Sequence, residues 1–408
     1  MIVSQLTARR DYAVPKILYE NNMLSMLFTD AYYNVDKYPI FNLLDRTLPS
    51  KLVKTYHRYD PNIPIDFVRS NWALALKFRY QLKAFNPTKK YLAQINAFKA
   101  NSEFIIRYCN KNKNINSYYG FDSASKEFFE WAKPKGFSLY LDQCIAPRYS
   151  QILMYKKFQD TYGVNQQRNI EQCMFHKERE EREWELTNKI LAPSSYVKSE
   201  LLKAGAPENK IFLVPFGYES PYSLSYRKKS FETNLNITKD KLNILFVGNS
   251  GLRKGIYDFL MIAKHFNNYP LKFNIVGSIQ KDIFKYIENE KIKNVNIIGK
   301  LNRQDLNEIY KSSDIFCFPT YLEGSARVVF EAMSWGLPVL STYQSGSVIT
   351  NELDGFLVDA GQINNMIMYI QKLISSKELR FKVGEKALYK VEEFNLNNYA
   401  KALIPVLT

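Results

Sequence analysis

Histidine is almost absent: His57, His176 and His265 are the only three in 408 residues. None stands in a recognisable catalytic setting, so chemistry built on an imidazole base finds no support. His176 lies among acids in a charged segment and reads as a surface residue. The four cysteines, Cys109, Cys144, Cys173 and Cys317, show neither metal-ligand nor redox spacing. That excludes a thiolate metal site and a disulfide framework, and points to a reducing cytoplasm with mostly buried free thiols. No stretch approaches the roughly eighteen apolar residues that a membrane-spanning helix needs. The opening strand, Ile2 to Leu6, is too short for a signal-peptide core, so a cytoplasmic location is expected. Neither a dinucleotide fingerprint nor a P-loop is present. No D-x-D pair stands where a divalent cation would be needed, so no metal is expected, and no cofactor.

What is present is alternation. In the second half, apolar runs at 241–248, 271–277, 295–299, 314–319, 338–342 and 355–358 are separated by helical patterns near 255–265, 281–291, 303–312 and 326–335. Helices at 363–375 and 377–392 follow. Short apolar strands between helices predict parallel strands covered on both faces, a doubly wound sheet. Ligands of such sheets sit beyond the carboxyl ends of the strands. The first half repeats the pattern at 2–6, 24–29, 116–121, 137–142, 189–192 and 211–215, with a loose, aromatic-rich helical region near 40–113 and a long charged helix near 168–187. The chain length favours two domains. The expected layout is an α/β protein of two doubly wound Rossmann-like domains facing across a cleft. The first spans 1–220, a polar linker 221–240, and the second 241–392. A C-terminal helix at 393–408 is expected to pack back on the first domain.

The net charge of +16 is uneven. Residues 1–230 hold 35 basic and 22 acidic groups, residues 231–408 hold 21 and 18, and residues 1–113 alone hold 18 and 8. A basic first half suits an anionic partner, and equally an ordinary solvated basic surface. No nucleic-acid module accompanies the charge, so nucleic acid is not expected as a partner.

Two constellations carry chemistry. Phe246-Val247-Gly248-Asn249-Ser250-Gly251-Leu252-Arg253-Lys254-Gly255 is a strand running through a tight turn into a helix. Free amides and the positive end of the helix dipole favour an anion there, and Arg253 and Lys254 add two cations suited to a diphosphate. On its own, such a turn is often an ordinary strand–helix connection. The second is Glu323-Gly324-Ser325-Ala326 after a buried strand, with Glu331 eight residues after Glu323 among Phe330, Ala332 and Met333. A carboxylate in apolar company needs a polar partner, and a vicinal diol would serve. In isolation that pair reads more readily as a capping acid and a helix-surface glutamate.

Together they carry a resemblance. The Lys-Gly phosphate turn, and Glu323-Gly324 through Glu331-Ala332-Met333-Ser334-Trp335-Gly336-Leu337-Pro338-Val339, resemble the retaining family-four glycosyltransferases of the two-Rossmann (GT-B) type. Asn351 to Val358, Asn188 to Ser194 and Ile211 to Gly217 are similar to further parts of that pattern. The resemblance implies a metal-independent hexosyltransferase that takes its sugar from a nucleotide-sugar donor. It implies that Arg253 and Lys254 hold the donor diphosphate, with Gly248 and Asn249 in the same turn. Glu331 would bind the ribose hydroxyls, and Glu323 with the amides of Gly324, Ser325 and Ala326 would hold the transferred sugar and its phosphate. Gly299, Lys300 and Leu301 would line the base pocket. A front-face mechanism, in which the departing phosphate takes the acceptor's proton, fits the scarcity of histidine.

Two positions depart from the family's pattern. Asn249 stands where arginine is common, and Thr7-Ala8-Arg9-Arg10-Asp11 replaces a glycine-rich turn. Arg9 or Arg10 is therefore expected to touch an anionic group on the acceptor side. The acceptor itself is expected to be a glycan or lipid-linked molecule of surface polysaccharide or glycolipid synthesis. The basic first half is expected to meet anionic membrane peripherally at the inner face, aided by aromatic residues between Tyr32 and Tyr80. The alternatives are a nucleotide-sugar epimerase or hydrolase of the same fold, and a non-catalytic sugar-nucleotide-binding subunit.

Overall fold

The computed structural model describes residues 1–32, 58–84, 90–249 and 251–408. Seven short apolar runs build the first sheet: β1 (Ile2–Gln5), β2 (Met26–Thr29), β3 (Val68–Ser70), β4 (Ser117–Phe121), β5 (Ser138–Asp142), β6 (Lys189–Ala192) and β7 (Ile211–Leu213). Their order is β3-β2-β1-β4-β5-β6-β7, with every pair parallel. Parallel neighbours require crossovers. The described helices here are α1 (Ala13–Glu20), α2 (Trp72–Ala84), α3 (Lys90–Lys111), α4 (Lys126–Ala132), α5 (Arg148–Tyr162), α6 (Gln167–Leu186) and α7 (Ser195–Lys203). They bury both faces: Phe28, Tyr118, Phe128 and Trp184 form one core, and Val14, Leu27, Tyr119 and Val214 the other.

The second sheet is made by β8 (Leu242–Val247), β9 (Leu271–Val276), β10 (Val295–Gly299), β11 (Ile315–Phe318), β12 (Val339–Thr342) and β13 (Phe356–Val358). Its order is β10-β9-β8-β11-β12-β13, again all parallel. The order reverses between β8 and β11, the switch point where doubly wound sheets open a ligand crevice. Helices α8 (Leu224–Asn236), α9 (Ile256–His265), α10 (Lys281–Asn289), α11 (Arg303–Ser312), α12 (Arg327–Ser334), α13 (Ile363–Ser375) and α14 (Lys377–Glu392) surround it. Fully buried Phe246, Phe259, Phe273 and Phe318 centre the core.

A last helix, α15 (Leu396–Leu407), returns to the first sheet. Leu403 and Leu407 enter its core, each contributing roughly 2 kcal/mol of apolar burial. Tyr140 donates its hydroxyl to Leu407 O at 2.9 Å, and Lys189 Nζ donates to Val406 O at 2.7 Å.

Two sequence expectations fail in instructive ways. The stretch 221–240, expected as a linker, contains α8. Ser223 caps it by accepting from the Tyr226 amide, and Phe231 stacks on Phe381 at a centroid distance of 5.8 Å. Arg227 is buried and donates to Ser334 O and to Glu392. A single buried apolar residue, Phe231, is too sparse for a periodicity to register. The charged helix α6 is not a solvated surface helix either. His176, Arg179, Glu180 and Glu183 are all buried. Glu183 accepts from the amides of Ser123, Ser125 and Lys126 at 2.7, 2.7 and 2.9 Å, so it caps the start of α4 from another helix. Glu180 accepts from the Arg148 amide at the start of α5 and from Gln143 Nε2. His176 is 4% exposed, and burial, with Arg148 and Arg179 nearby, lowers its pKa from 6.5 to about 4.

Candidate functional site

The β8–α9 connection begins at Gly248 and Asn249 and closes as a short turn over Leu252–Lys254. Gly255 ends that turn at φ +71°, and a Cβ there would meet Pro319 O at 1.8 Å. Glycine is therefore required for α9 to start against the loop after β11. The two loops are laced together: Tyr321 N and Thr320 Oγ1 both donate to Arg253 O, at 2.8 and 2.9 Å. Arg253 Nη1 in turn donates to Leu322 O at 2.6 Å.

This lacing brings Arg253, Lys254 and Glu323 together. Glu323 Oε1 accepts from Arg253 Nη1 at 2.8 Å and from Lys254 Nζ, and lies 3.2 Å from Thr320 Oγ1. Burial lowers the Lys254 pKa, against the pull of Glu323. Beside the cluster lies a cavity of about 580 Å³ whose lining includes Asn249, Arg253, Lys254, Ser278 and Lys300, with Tyr155 and Gln166 from the first domain. Three cations and several polar groups facing one cavity suit a multiply charged anion, which would draw Arg253 and Lys254 away from Glu323. Gly299, at φ +85° with open space around its Cα, lies at the edge of the same region. Leu301 packs partly buried against the second core.

The Glu323–Ala326 loop is pressed between the domains. A Cβ on Gly324 would meet Cys144 O at 1.8 Å, and Gly324 O accepts from Ser194 Oγ at 2.6 Å. Of the three amides expected to cradle phosphate, that of Ala326 already donates to Ser345 O at 3.0 Å. The Ser325 hydroxyl is buried and has no hydrogen-bond partner among the described residues, and the Gly324 and Ser325 amides are the other donors of this loop.

Glu331 stands apart from the Glu323 cluster. It accepts from Tyr310 OH at Oε2 and from Arg327 Nε at Oε1, both at 3.1 Å. Arg327 also pairs with Asp11 of the first domain, which Arg303 reaches at 3.2 Å. Asp11, Arg303 and Arg327 were not singled out by the sequence patterns. The i,i+4 spacing of Arg327 and Glu331 is the one local signal for them.

On the opposite wall the two adjacent arginines differ. Arg10 is anchored inside the first domain while also lining the cleft cavity beside Arg9. Its Nη2 is 2.5 Å from Asp142, its Nη1 donates to Tyr399 OH at 3.3 Å, and Tyr119 OH donates to the same carboxylate. Arg9 stays at the rim, 3.9 Å from Asp122. It faces a cavity of about 360 Å³ shared with Cys144, Ser325 and Arg327.

Residues 227–389 match the family described as glycosyl transferases group 1. The chain is 28% identical over 218 residues to the capsular polysaccharide biosynthesis glycosyltransferase CapM of Staphylococcus aureus, covering 50% of this chain and 56% of that protein. The chain thus spans a little over half the length of that relative. Sucrose-phosphate synthase from Thermosynechococcus elongatus shares the fold with a TM-score of 0.66 at 17% identity, over 98% of this chain and 96% of that one. Anabaena HepE aligns with a TM-score of 0.61 at 12% identity, over 100% and 98%.

Proposed function

We propose that this chain, a GT-B protein whose residues 227–389 belong to the group 1 glycosyl transferases, moves a sugar from a nucleotide-sugar donor to a glycan or lipid-linked acceptor in surface polysaccharide or glycolipid synthesis. The observation that carries the reading is the convergence of Arg253 and Lys254 on Glu323 beside the 580 Å³ cavity. Arg253 and Lys254 swing from Glu323 to the donor diphosphate and neutralise the charge that grows as the anomeric C–O bond breaks. Glu323, the Gly324 and Ser325 amides and the Ser325 hydroxyl hold the sugar and its adjoining phosphate, and Glu331 takes the ribose diol. The acceptor oxygen attacks from the face the phosphate leaves, and its proton passes to the departing phosphate oxygen. Configuration is retained, and no side-chain base or metal takes part. Rate comes from positioning and preset charge. Support comes from the capsular role named for CapM, and from the complex with UDP-glucose formed by HepE.

The acceptor side is less specific. Arg9, at the rim and 3.9 Å from Asp122, faces the 360 Å³ cavity there. The stretch from Phe67 to Ser102 holds seven basic residues and no acid. Much of it forms α2 and α3, which expose Leu76, Tyr80 and Leu92. This supports peripheral contact with an anionic membrane through the first domain. Of the other aromatic residues invoked for that contact, Tyr32, Tyr59 and Phe67 pack in the first domain's core, and those at 33–57 lie outside the described residues.

The test is a donor screen across UDP-, GDP- and ADP-sugars in the presence of EDTA, with the anomeric product read by NMR. One donor turning over with retained configuration is the expected result. Turnover only after added magnesium or manganese, or an inverted product, overturns the proposed chemistry.

A further inference from the structure

Each oxygen of the Glu331 carboxylate already accepts one hydrogen bond, Oε2 from Tyr310 OH and Oε1 from Arg327 Nε, so a ribose diol there would share the carboxylate with Arg327. What keeps Arg327 there is a residue of the other domain. Asp11 pairs with Arg327 and, at 3.2 Å, with Arg303. Two guanidiniums from the starts of α11 and α12 therefore converge on a single carboxylate beside the proposed ribose residue.

Asp11 is not a loosely placed surface acid. Arg10, Asp11 and Tyr12 are consecutive non-glycine residues in the left-handed region, at φ +53°, +49° and +61°. The buried Arg10–Asp142 pair, tied to Tyr119 and Tyr399, holds that backbone in place. The loop is thus anchored from inside the first domain and presents Asp11 outward, across the cleft. A carboxylate held between two arginines marks a place shaped for an anion. The same place adjoins Glu331, and Asp11, Arg303 and Arg327 share a cavity of about 180 Å³.

We propose that Arg303 and Arg327 bind an anionic group of the nucleotide, and that Asp11 is an internal competitor for them. Nucleotide binding exchanges Asp11 for a phosphate oxygen, frees Arg327 from its pose over Glu331, and uncouples the two domains at this point. The inference rests on the donor-site reading above.

The test is calorimetric titration of the whole chain with UDP and with GDP. Asp11→Asn removes the charge yet keeps a side chain tolerant of the left-handed backbone; Asp11→Gly, which adopts that backbone freely, is the second variant. Both should bind the better nucleotide roughly threefold to tenfold more tightly than the wild type, as the loss of two partly exposed ion pairs predicts. The gain should shrink at about 0.5 M salt, where such pairs are screened. Arg327→Ala should bind more weakly than the wild type. Unchanged or weaker binding in both Asp11 variants overturns the competition, and unchanged or tighter binding in Arg327→Ala overturns the anion site. Lys254→Ala separates the two failures. If it loses affinity while the Asp11 variants do not gain it, the donor site stands and this inference falls. If Lys254→Ala and Glu331→Ala both bind normally, the donor-site reading itself is wrong.

Discussion

Replacing Lys254 by alanine perturbs the centre of the proposed donor site with small cost to the fold. Lys254 lies over the Phe318 ring with its ammonium 5.3 Å from the centroid, and pairs with Glu323. Breaking a buried ion pair is destabilising by roughly 3–5 kcal/mol when it strands the partner charge. Here the partner is not stranded, because Glu323 keeps Arg253 at 2.8 Å and Thr320 at 3.2 Å. The loss in stability should therefore be nearer 1 kcal/mol, a shift of roughly 2–4 °C in melting temperature for a domain of this size. The loss in nucleotide binding is larger. A charge-assisted hydrogen bond to phosphate contributes about 1.5–3 kcal/mol, so the dissociation constant should rise by roughly tenfold to a hundredfold. Glu331→Ala should weaken binding by a comparable factor and also lower the melting temperature by a few degrees, because the buried Tyr310 hydroxyl loses this acceptor, at about 1–3 kcal/mol. Calorimetry with the cognate nucleoside diphosphate and a thermal melt on the same samples check both quantities. Wild-type affinity in both variants, with intact melts, refutes the donor-site assignment.

Two further outcomes are expected. Liposome co-sedimentation should show salt-sensitive attachment to anionic vesicles, each Lys or Arg at the surface adding about 1 kcal/mol. Exchanging Lys77, Lys83 and Lys99 for glutamate should abolish it, and equal partition onto neutral and anionic vesicles leaves only a solvated basic surface. The pKa of His176 is lowered to about 4 in the fold from 6.5, so its neutral form is favoured by the native state. Its contribution is fully present above pH 6.5 and is lost as the pH falls towards 4, on the order of 3 kcal/mol in all. His176→Gln should flatten the fall of melting temperature across that window, and a slope identical to the wild type would show that burial does not shift this imidazole.

The second domain is legible in sequence because its strands are short continuous apolar runs and its loops are brief. Each run from Leu242 to Val358 therefore ends at the crevice, and the residue after it is a candidate. Arg253, Lys254 and Glu323 are found that way, and the structure brings them together. The first domain hides its interior behind charge. In α6, the stretch from Lys177 to Glu185 reads as a solvated face, yet Glu180 and Glu183 point inward to cap α5 and α4. A buried acid that satisfies another helix's amides leaves no mark in the periodicity of its own helix. The same limit hides α8, whose cap and single buried phenylalanine look like linker composition.

The β1–α1 turn shows the limit at its sharpest. Arg9, Arg10 and Asp11 are consecutive, and nothing in composition or spacing ranks them. The backbone does. Left-handed torsions at Arg10 and Asp11 cost roughly 1–2 kcal/mol each relative to the ordinary helical region, and the buried Arg10–Asp142 contact offsets part of that cost. Once Arg10 is turned inward, its neighbours are forced elsewhere: Arg9 to the rim beside Asp122, and Asp11 towards Arg303 and Arg327 of the other domain. Three adjacent charges thus serve an interior, a cleft wall and an opposing domain. A glycine-rich turn would make the same bend without strain, but it would carry no carboxylate to the second domain. The strained sequence therefore does something the relaxed one cannot, and the conformation of this turn sets which charges the cleft presents to a ligand.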